Sequence, residues 1–228
     1  MRNGGLKNRR TMLNLGEKAP SESERAYLII REGIIKGKYK PGERLLEEWL
    51  AKEFQLSRTP IREALMRLYQ EGWVVKHPHR GVVVKAFDKK ELEDIIEVRS
   101  VLEGYATRMI ASSCDESLVR KLKDVIFSVE LALKEGKIQE AIELNTSFHD
   151  LIYERCGNSV LLRMIGQLRD YFYRYRVLLL NLAGMLERSI EDHKRLLDLI
   201  ENGTPDEVER FTRKHILKGL DALKSIVF

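Results

Sequence analysis

Apolar residues first recur at helical spacing after Ser21, where Tyr27, Ile30 and Ile34 lie three or four apart until Gly37 breaks the pattern. Ser21 with Glu24 three residues on is a capping-box signature, so a helix starts there. The KPGER turn follows, and Leu45, Leu46, Trp49 and Leu50 mark a short second helix ending near Gln55. A third begins after LSRTP, with Ser57 or Thr59 as cap and Pro60 in the first turn, and runs to about Glu71. Beyond Gly72 the texture changes to WVVKHPHRGVVVKAF, two β-branched runs around Pro78 and Gly81, which predicts a β-hairpin. Three helices and a hairpin form a winged helix-turn-helix.

From Asp88 onward the strand signal disappears and Pro205 is the only proline. Helical periodicity predicts six helices, near 88–113, 115–135, 137–156, 158–182, 184–202 and 205–226, separated by Asp115, Gly136, Gly157-Asn158, Gly184 and the ENGTP turn. The expected fold is therefore mainly α: a winged helix-turn-helix over 21–87, then an all-α bundle over 88–228. Residues 1–20 lack periodicity and read as a flexible basic arm.

Composition narrows the setting. The chain has 228 residues, 43% of them apolar, with five Pro and two Cys, which excludes fibrous, wholly disordered and disulfide-framework classes. The start does not resemble an export signal, and no apolar run approaches the roughly 18 to 20 residues that cross a bilayer, so a cytoplasmic protein without membrane contact is expected. Charge is uneven: residues 1–87 hold 18 Lys and Arg against 10 Asp and Glu, the remainder 22 against 25. A basic first domain beside a mildly acidic second points to a polyanion as partner of the first.

On the third predicted helix Ile61, Ala64, Leu65 and Leu68 share one face, and Arg58 and Arg62 fall outside it. Two arginines one turn apart at the start of a third helix suit a recognition helix, able to grip guanine O6 and N7 or a phosphate. An ordinary solvated face would look similar. The wider stretch PGERLLEEWLAKEFQLSRTPIREALMRLYQEGWVVKHPHRGVVV resembles the DNA-binding signature of the GntR superfamily of bacterial transcription regulators over about residues 21–86. The resemblance implies that Arg44, Arg58 and Arg62 contact double-stranded operator DNA and that Arg80 and Gly81 form the tip of a wing. His77 and His79 read as exposed loop residues within reach of phosphate.

Three histidines lie beyond residue 88, each on the apolar stripe of a different predicted helix. Ile138, Ala141, Ile142, Asn145, His149 and Ile152 follow at helical intervals, as do Leu186, Ile190, His193 and Leu197, and Val208, Phe211, His215 and Ala222. A lone His there is commonly a core residue. The last two helices join through a short turn, and His193 and His215 both lie about 15 Å from it at about 1.5 Å per residue, so antiparallel packing brings them level and able to share an ion. Neutral imidazole suits Zn, Ni, Cu or Fe, and three ligands leave positions open. Cys114 and Cys156 read as packing residues.

This second half, about residues 90–225, resembles the FadR-type FCD ligand-binding domain, through EVRSVLEGYAT, FHDLIYERCGN and the two isolated histidines. The resemblance implies a divalent metal, zinc first and nickel or manganese as alternates, at Asn145, His149, His193 and His215, with Asn145 standing where the family keeps Asp. It also implies a homodimer and a small organic acid as effector, with Arg99 at the family's recurrent Arg position. Arg99 could equally pair with Glu103, four residues on. Arg169, Arg174 and Arg176, interleaved with Tyr171, Tyr173 and Tyr175, could line the same cavity, but read rather as a packed, partly exposed helix. A metalloenzyme would need a general base near the ion, and Asp150 and Asp192 point off the histidine stripes. A helical domain that only dimerises, with core histidines, is the remaining alternative. The expected function is a regulator whose helical domain binds metal and a carboxylate effector that modulates operator binding.

Overall fold

The computed structural model describes residues 20–78, 80–86, 88–113 and 115–227. The arm expected over 1–20 falls outside them except for Pro20, as do His79 and Cys114. Two compact units emerge, one from residues up to Ile34 with Pro41–Lys85, the other from Ile35–Lys40 with the chain beyond Ala86.

The first unit holds α1 (Glu22–Ile35), α2 (Glu47–Phe54), α3 (Arg58–Gln70), β1 (Val74–His77) and β2 (Gly81–Val84). Ser21 Oγ accepts the Glu24 N–H at 3.1 Å and so caps α1. Tyr27, Ile30, Leu50, Ile61, Leu65 and Leu68 are buried, each worth about 1.5 to 3 kcal/mol of apolar transfer when fully enclosed. α2 ends where Gln55 turns left-handed at φ 56° and returns its N–H to the last turn. Leu46 and Trp49, expected on a buried stripe, are exposed because Leu46 is itself the extended residue that opens α2 and Trp49 lies opposite the Leu50 face.

The hairpin is antiparallel, pairing Val74 with Val84 and His77 with Gly81. A third segment joins its outer edge: Leu45 N–H donates to Val82 O and Val84 N–H to Glu43 O, both at 2.9 Å, with a bridge between Arg44 and Val83. The PGERL turn is thus partly a short edge strand, too short for periodicity to reveal.

The second unit contains α4 (Lys89–Ala111), α5 (Glu116–Lys134), α6 (Ile138–Glu154), α7 (Ser159–Leu180), α8 (Met185–Asn202) and α9 (Pro205–Val227), each bound within two residues of expectation. Caps explain the agreement. Asp88 and Glu91 form a full capping box, Asp115 accepts from Leu118 N–H, and Asn158 accepts from Val160 and Leu161 N–H. α4 lies along α9 and α5 along α6. Gly104 lets α4 and α9 approach, since a Cβ there would stand 2.6 Å from Arg213 Cγ. One apolar cluster joins Leu122, Ile142, Phe148, Ile152 and Leu196, a second joins Leu92, Ile96, Phe172 and Leu223. Among the described residues no helix is long and apolar enough to cross a membrane.

Candidate functional site

The three stripes converge. His149 on α6, His193 on α8 and His215 on α9 offer ring nitrogens that all lie within 4.8 Å of one another. His149 and His193 are almost fully buried, and Phe148 stacks on the His193 ring at 4.1 Å. His193 Nε2 is 2.9 Å from His149 Nε2. Each outer ring has its second nitrogen engaged: His215 Nδ1 donates to Asp192 Oδ2 at 2.9 Å, and His149 Nδ1 meets Tyr153 Oη at 3.1 Å. Tyr153 in turn donates to Glu103, so the hydrogen of His149 belongs on Nδ1 and its Nε2 lone pair faces His193. Carboxylate or phenol behind imidazole is the support a metal-ligating histidine needs.

Electrostatics suit the same role. Burial first, then the charge of Arg176 and the neighbouring rings, holds His149 well below its ordinary 6.5. Burial, His215 and Arg176 do the same to His193, so both rings are neutral donors. Burial alone would raise Asp192, but hydrogen bonds from His215 and Lys218 outweigh it and hold the carboxyl at about 2. Two neutral, buried imidazoles with a third, half-buried one beside them fit a borderline divalent ion. Asp192, expected to point off the stripe of its own helix, reaches the cluster from α8 by crossing to His215 of α9.

Asn145 sits beside the cluster without joining it directly. Its Oδ1 accepts from Arg176 Nη2 at 3.0 Å, and its Nδ2 donates to Ser189 Oγ at 3.0 Å and approaches His193 Nδ1 at 3.5 Å. Arg99 does pair with Glu103, Nε to Oε1 at 2.7 Å, with both side chains buried. Its guanidinium also lies 4.3 Å from the centre of the Phe172 ring. Yet Arg99 still lines a cavity of about 720 Å³ with His149, His215 and Arg176. Arg176, expected on a packed, partly exposed helix, lies on its packed side and is buried. The signal was available: Ile165, Phe172, Arg176 and Leu179 recur at helical spacing, so Arg176 shares an apolar stripe as the histidines do. Glu103 was foreseen only as the partner of Arg99 and Tyr153 was not singled out, because a buried relay across α4 and α6 has no local pattern.

In the first unit Arg58 and Arg62 stand exposed on α3, off the buried face of Ile61, Ala64, Leu65 and Leu68. Both are held by α2: Arg62 Nη2 to Glu47 Oε2 at 3.0 Å and Arg58 Nη1 to Glu48 Oε1 at 3.0 Å. Arg44 and Gly81 come together across the edge strand, a Cβ at Gly81 standing 3.9 Å from Arg44 Nε. Gly81 has φ 73°, which a residue with a side chain adopts only under strain. Arg80 and His77 are exposed beside it.

Comparison with known proteins accounts for both units. The FCD domain family matches residues 94–218, and the gntR family of bacterial regulatory proteins matches residues 14–84. An uncharacterized HTH-type transcriptional regulator of Bacillus subtilis, YdhC, is 26% identical over 202 residues, 88% of this chain and 90% of its own length. The gluconate operon transcriptional repressor of Bacillus licheniformis is 30% identical over 169 residues, 74% of this chain and 68% of its own. The solved structure of E. coli McbR/YncC aligns with a TM-score of 0.75 over 92% of this chain and 100% of that one, at 23% identity, a likeness of fold. The chain belongs to the GntR family of bacterial regulatory proteins, a DNA-binding transcription regulator with a helix-turn-helix domain followed by an FCD domain.

Proposed function

We propose that this regulator's helical domain binds one divalent metal, zinc first among the candidates, at His149, His193 and His215 with Asn145 beside them, and a small organic acid whose binding alters operator affinity. The observation that carries the reading is that two of the three clustered imidazoles, His149 and His215, share the wall of one cavity with the buried Arg99 and Arg176. The ion, when bound, supplies positive charge and open coordination positions for an anion. The chain's own residues orient the rings, through Asp192 behind His215 and Tyr153 behind His149. Arg99, paired with Glu103 on one edge, presents its remaining N–H groups toward a carboxylate.

Operator recognition would fall to Arg58 and Arg62 on α3, with Arg44, Arg80 and Gly81 at the wing. Two half-sites require two recognition helices, so the working form is a homodimer, and its place of work is the cytoplasm. If the acid favours one arrangement of the two DNA-binding domains, it changes operator affinity by the same coupling energy, typically about 1 to 3 kcal/mol.

A second reading has one observation behind it. The 2.9 Å contact between the two buried Nε2 atoms can be a closed hydrogen bond within a core that only dimerises. The test is metal analysis of protein purified without added metal, followed by titration of a selected operator fragment with organic acids, with and without EDTA. A bound divalent ion and an acid response that EDTA abolishes support the metal-dependent sensor. No metal and no acid response leave the dimerisation domain.

A further inference from the structure

We propose that the cavity beside the histidines takes a monocarboxylate with an apolar body, its head held by Arg176 and its body among Leu179, Leu180, Met185 and Ile216. This rests on the organic-acid reading above and names the class of acid. Arg176 is 8% exposed, and its Nη2 donates only to Asn145, to Oδ1 at 3.0 Å and to the backbone oxygen at 3.4 Å. Among the described residues its Nε has no hydrogen-bond partner and no carboxylate forms an ion pair with it within 4.0 Å. Arg99, by contrast, is answered by Glu103. A guanidinium cannot discard its proton, so a buried one with no carboxylate in ion-pair contact calls for an anion.

Asn145 explains why that charge stays unanswered. A carboxylate at position 145 would lie within ion-pair distance of Arg176 and neutralise it. The amide oxygen orients the guanidinium through one hydrogen bond and leaves its charge and its Nε to a ligand.

The cavity describes the rest of the ligand. At about 720 Å³ it falls in the range that encloses a drug-sized molecule, far more than a two- or three-carbon acid fills. Its charged lining residues Glu187, Arg188, Glu191, Lys218 and Asp221 are exposed and so form the mouth. Phe172, Leu179 and Leu180 are buried and form the inner wall. Those three side chains offer hydroxyl groups no partner, so hydroxyls on the part of an acid that lies against them would be left unsatisfied. Three acids against two bases at the mouth give a second carboxylate no favourable seat.

The experiment is calorimetry on the full-length protein, zinc-loaded and EDTA-treated, with octanoate, octanamide and citrate as probes. Octanoate should bind at least tenfold more tightly than octanamide or citrate. Arg176→Met should cost octanoate at least tenfold while leaving the melting temperature close to wild type. If Arg176→Met does not fold, Asn145→Asp supplies the internal carboxylate instead and should weaken octanoate by a similar factor. Equal affinity for octanoate and octanamide, or octanoate binding unchanged in the variants, overturns the proposal. Citrate binding that exceeds octanoate and survives both substitutions overturns it while sparing the organic-acid reading. Failure of every acid to bind, in either metal state, overturns both.

Discussion

Glu47 Oε2 lies 3.0 Å from Arg62 Nη2, and the same carboxylate reaches Arg58 Nη2 at 3.5 Å. One acid of α2 therefore spans both arginines on the open face of α3, and the Arg62 hydrogen bond is the largest influence holding Glu47 below its ordinary carboxylate value. On the proposed reading of α3 as the recognition helix, DNA would take the place of Glu47 at both guanidinium groups. These are exposed pairs of small intrinsic worth, so the exchange is cheap, and Glu47 keeps the two side chains aligned before DNA arrives.

Arg58→Ala and Arg62→Ala are each expected to weaken specific operator binding without unfolding the protein. A lost bidentate base contact costs about 1 to 3 kcal/mol and relaxes preference at one base pair, whereas a lost phosphate contact lowers the salt slope by about one. Fluorescence anisotropy on operator and scrambled DNA at several salt concentrations separates the two. Operator affinity unchanged in both variants would remove α3 from the DNA interface.

Loss of either His193 or His215 should empty the proposed metal site. His193→Ala and His215→Ala are expected to purify with under a tenth of the wild-type divalent metal, measured by mass spectrometry of the ions. An ion that binds only the folded chain stabilises it by about 2.7 kcal/mol at a hundredfold excess over its Kd. EDTA should therefore lower the melting temperature of wild type and leave both variants where they were. Equal sensitivity of all three to EDTA would count against the site.

How much of this could be read from the chain alone depended on whether the information was local. The six helices beyond residue 88 were legible because Asp88, Asp115 and Asn158 cap them and their apolar stripes are unbroken. Arg44 pairing with Val83 was not, since a single bridge leaves no alternation to detect. Leu46 and Trp49 misled because periodicity marks residues that share a face but not where a helix is capped. The histidines stood out as polar interruptions of apolar stripes. Arg176 interrupts a stripe in the same way, but its neighbours Arg169, Arg174, Tyr171 and Tyr173 made the segment read as a helix packed on one side and exposed on the other. Glu103 and Asp192 reach their partners across helices, which only the packed bundle brings together.

In the EDTA-treated protein, stability should fall as pH drops below about 6.5. His149 and His193 are held well below 6.5 in the fold and return to about that value when unfolded. Between those limits the unfolded chain binds protons the native chain does not, so acid favours unfolding. The slope approaches about 1.4 kcal/mol per pH unit for each ring. Urea melts at pH 7.5, 6.5 and 5.5 would check this, and His193→Gln should remove one ring's share. A flat profile in EDTA would show the rings already accessible to protons.

Gly104→Ala is expected to destabilise the helical unit by about 1 to 3 kcal/mol. The new methyl would meet Arg213 Cγ at 2.6 Å and the backbone oxygen of Glu209 at 3.3 Å, and backbone cannot step aside as a side-chain tip can. Because α4 carries Arg99 and α9 carries His215, metal retention should fall in parallel. Unaltered melting and metal content would indicate that Arg213 swings away without strain.

The amide of Asn145 faces two ways at once, with consequences for the order in which ligands arrive. A histidine that offers Nε2 to a cation carries its hydrogen on Nδ1, and for His193 that atom lies 3.5 Å from the Asn145 amide nitrogen, which cannot accept it. A half-turn of the amide would present oxygen to His193 and withdraw it from Arg176, which now holds it at 3.0 Å. The same rotation that readies the ring for an ion thus strips the guanidinium of its main side-chain partner and sharpens its demand for an anion. A cation added first should prime the site for acid, and acid added first should tighten the later uptake of the cation by the same factor.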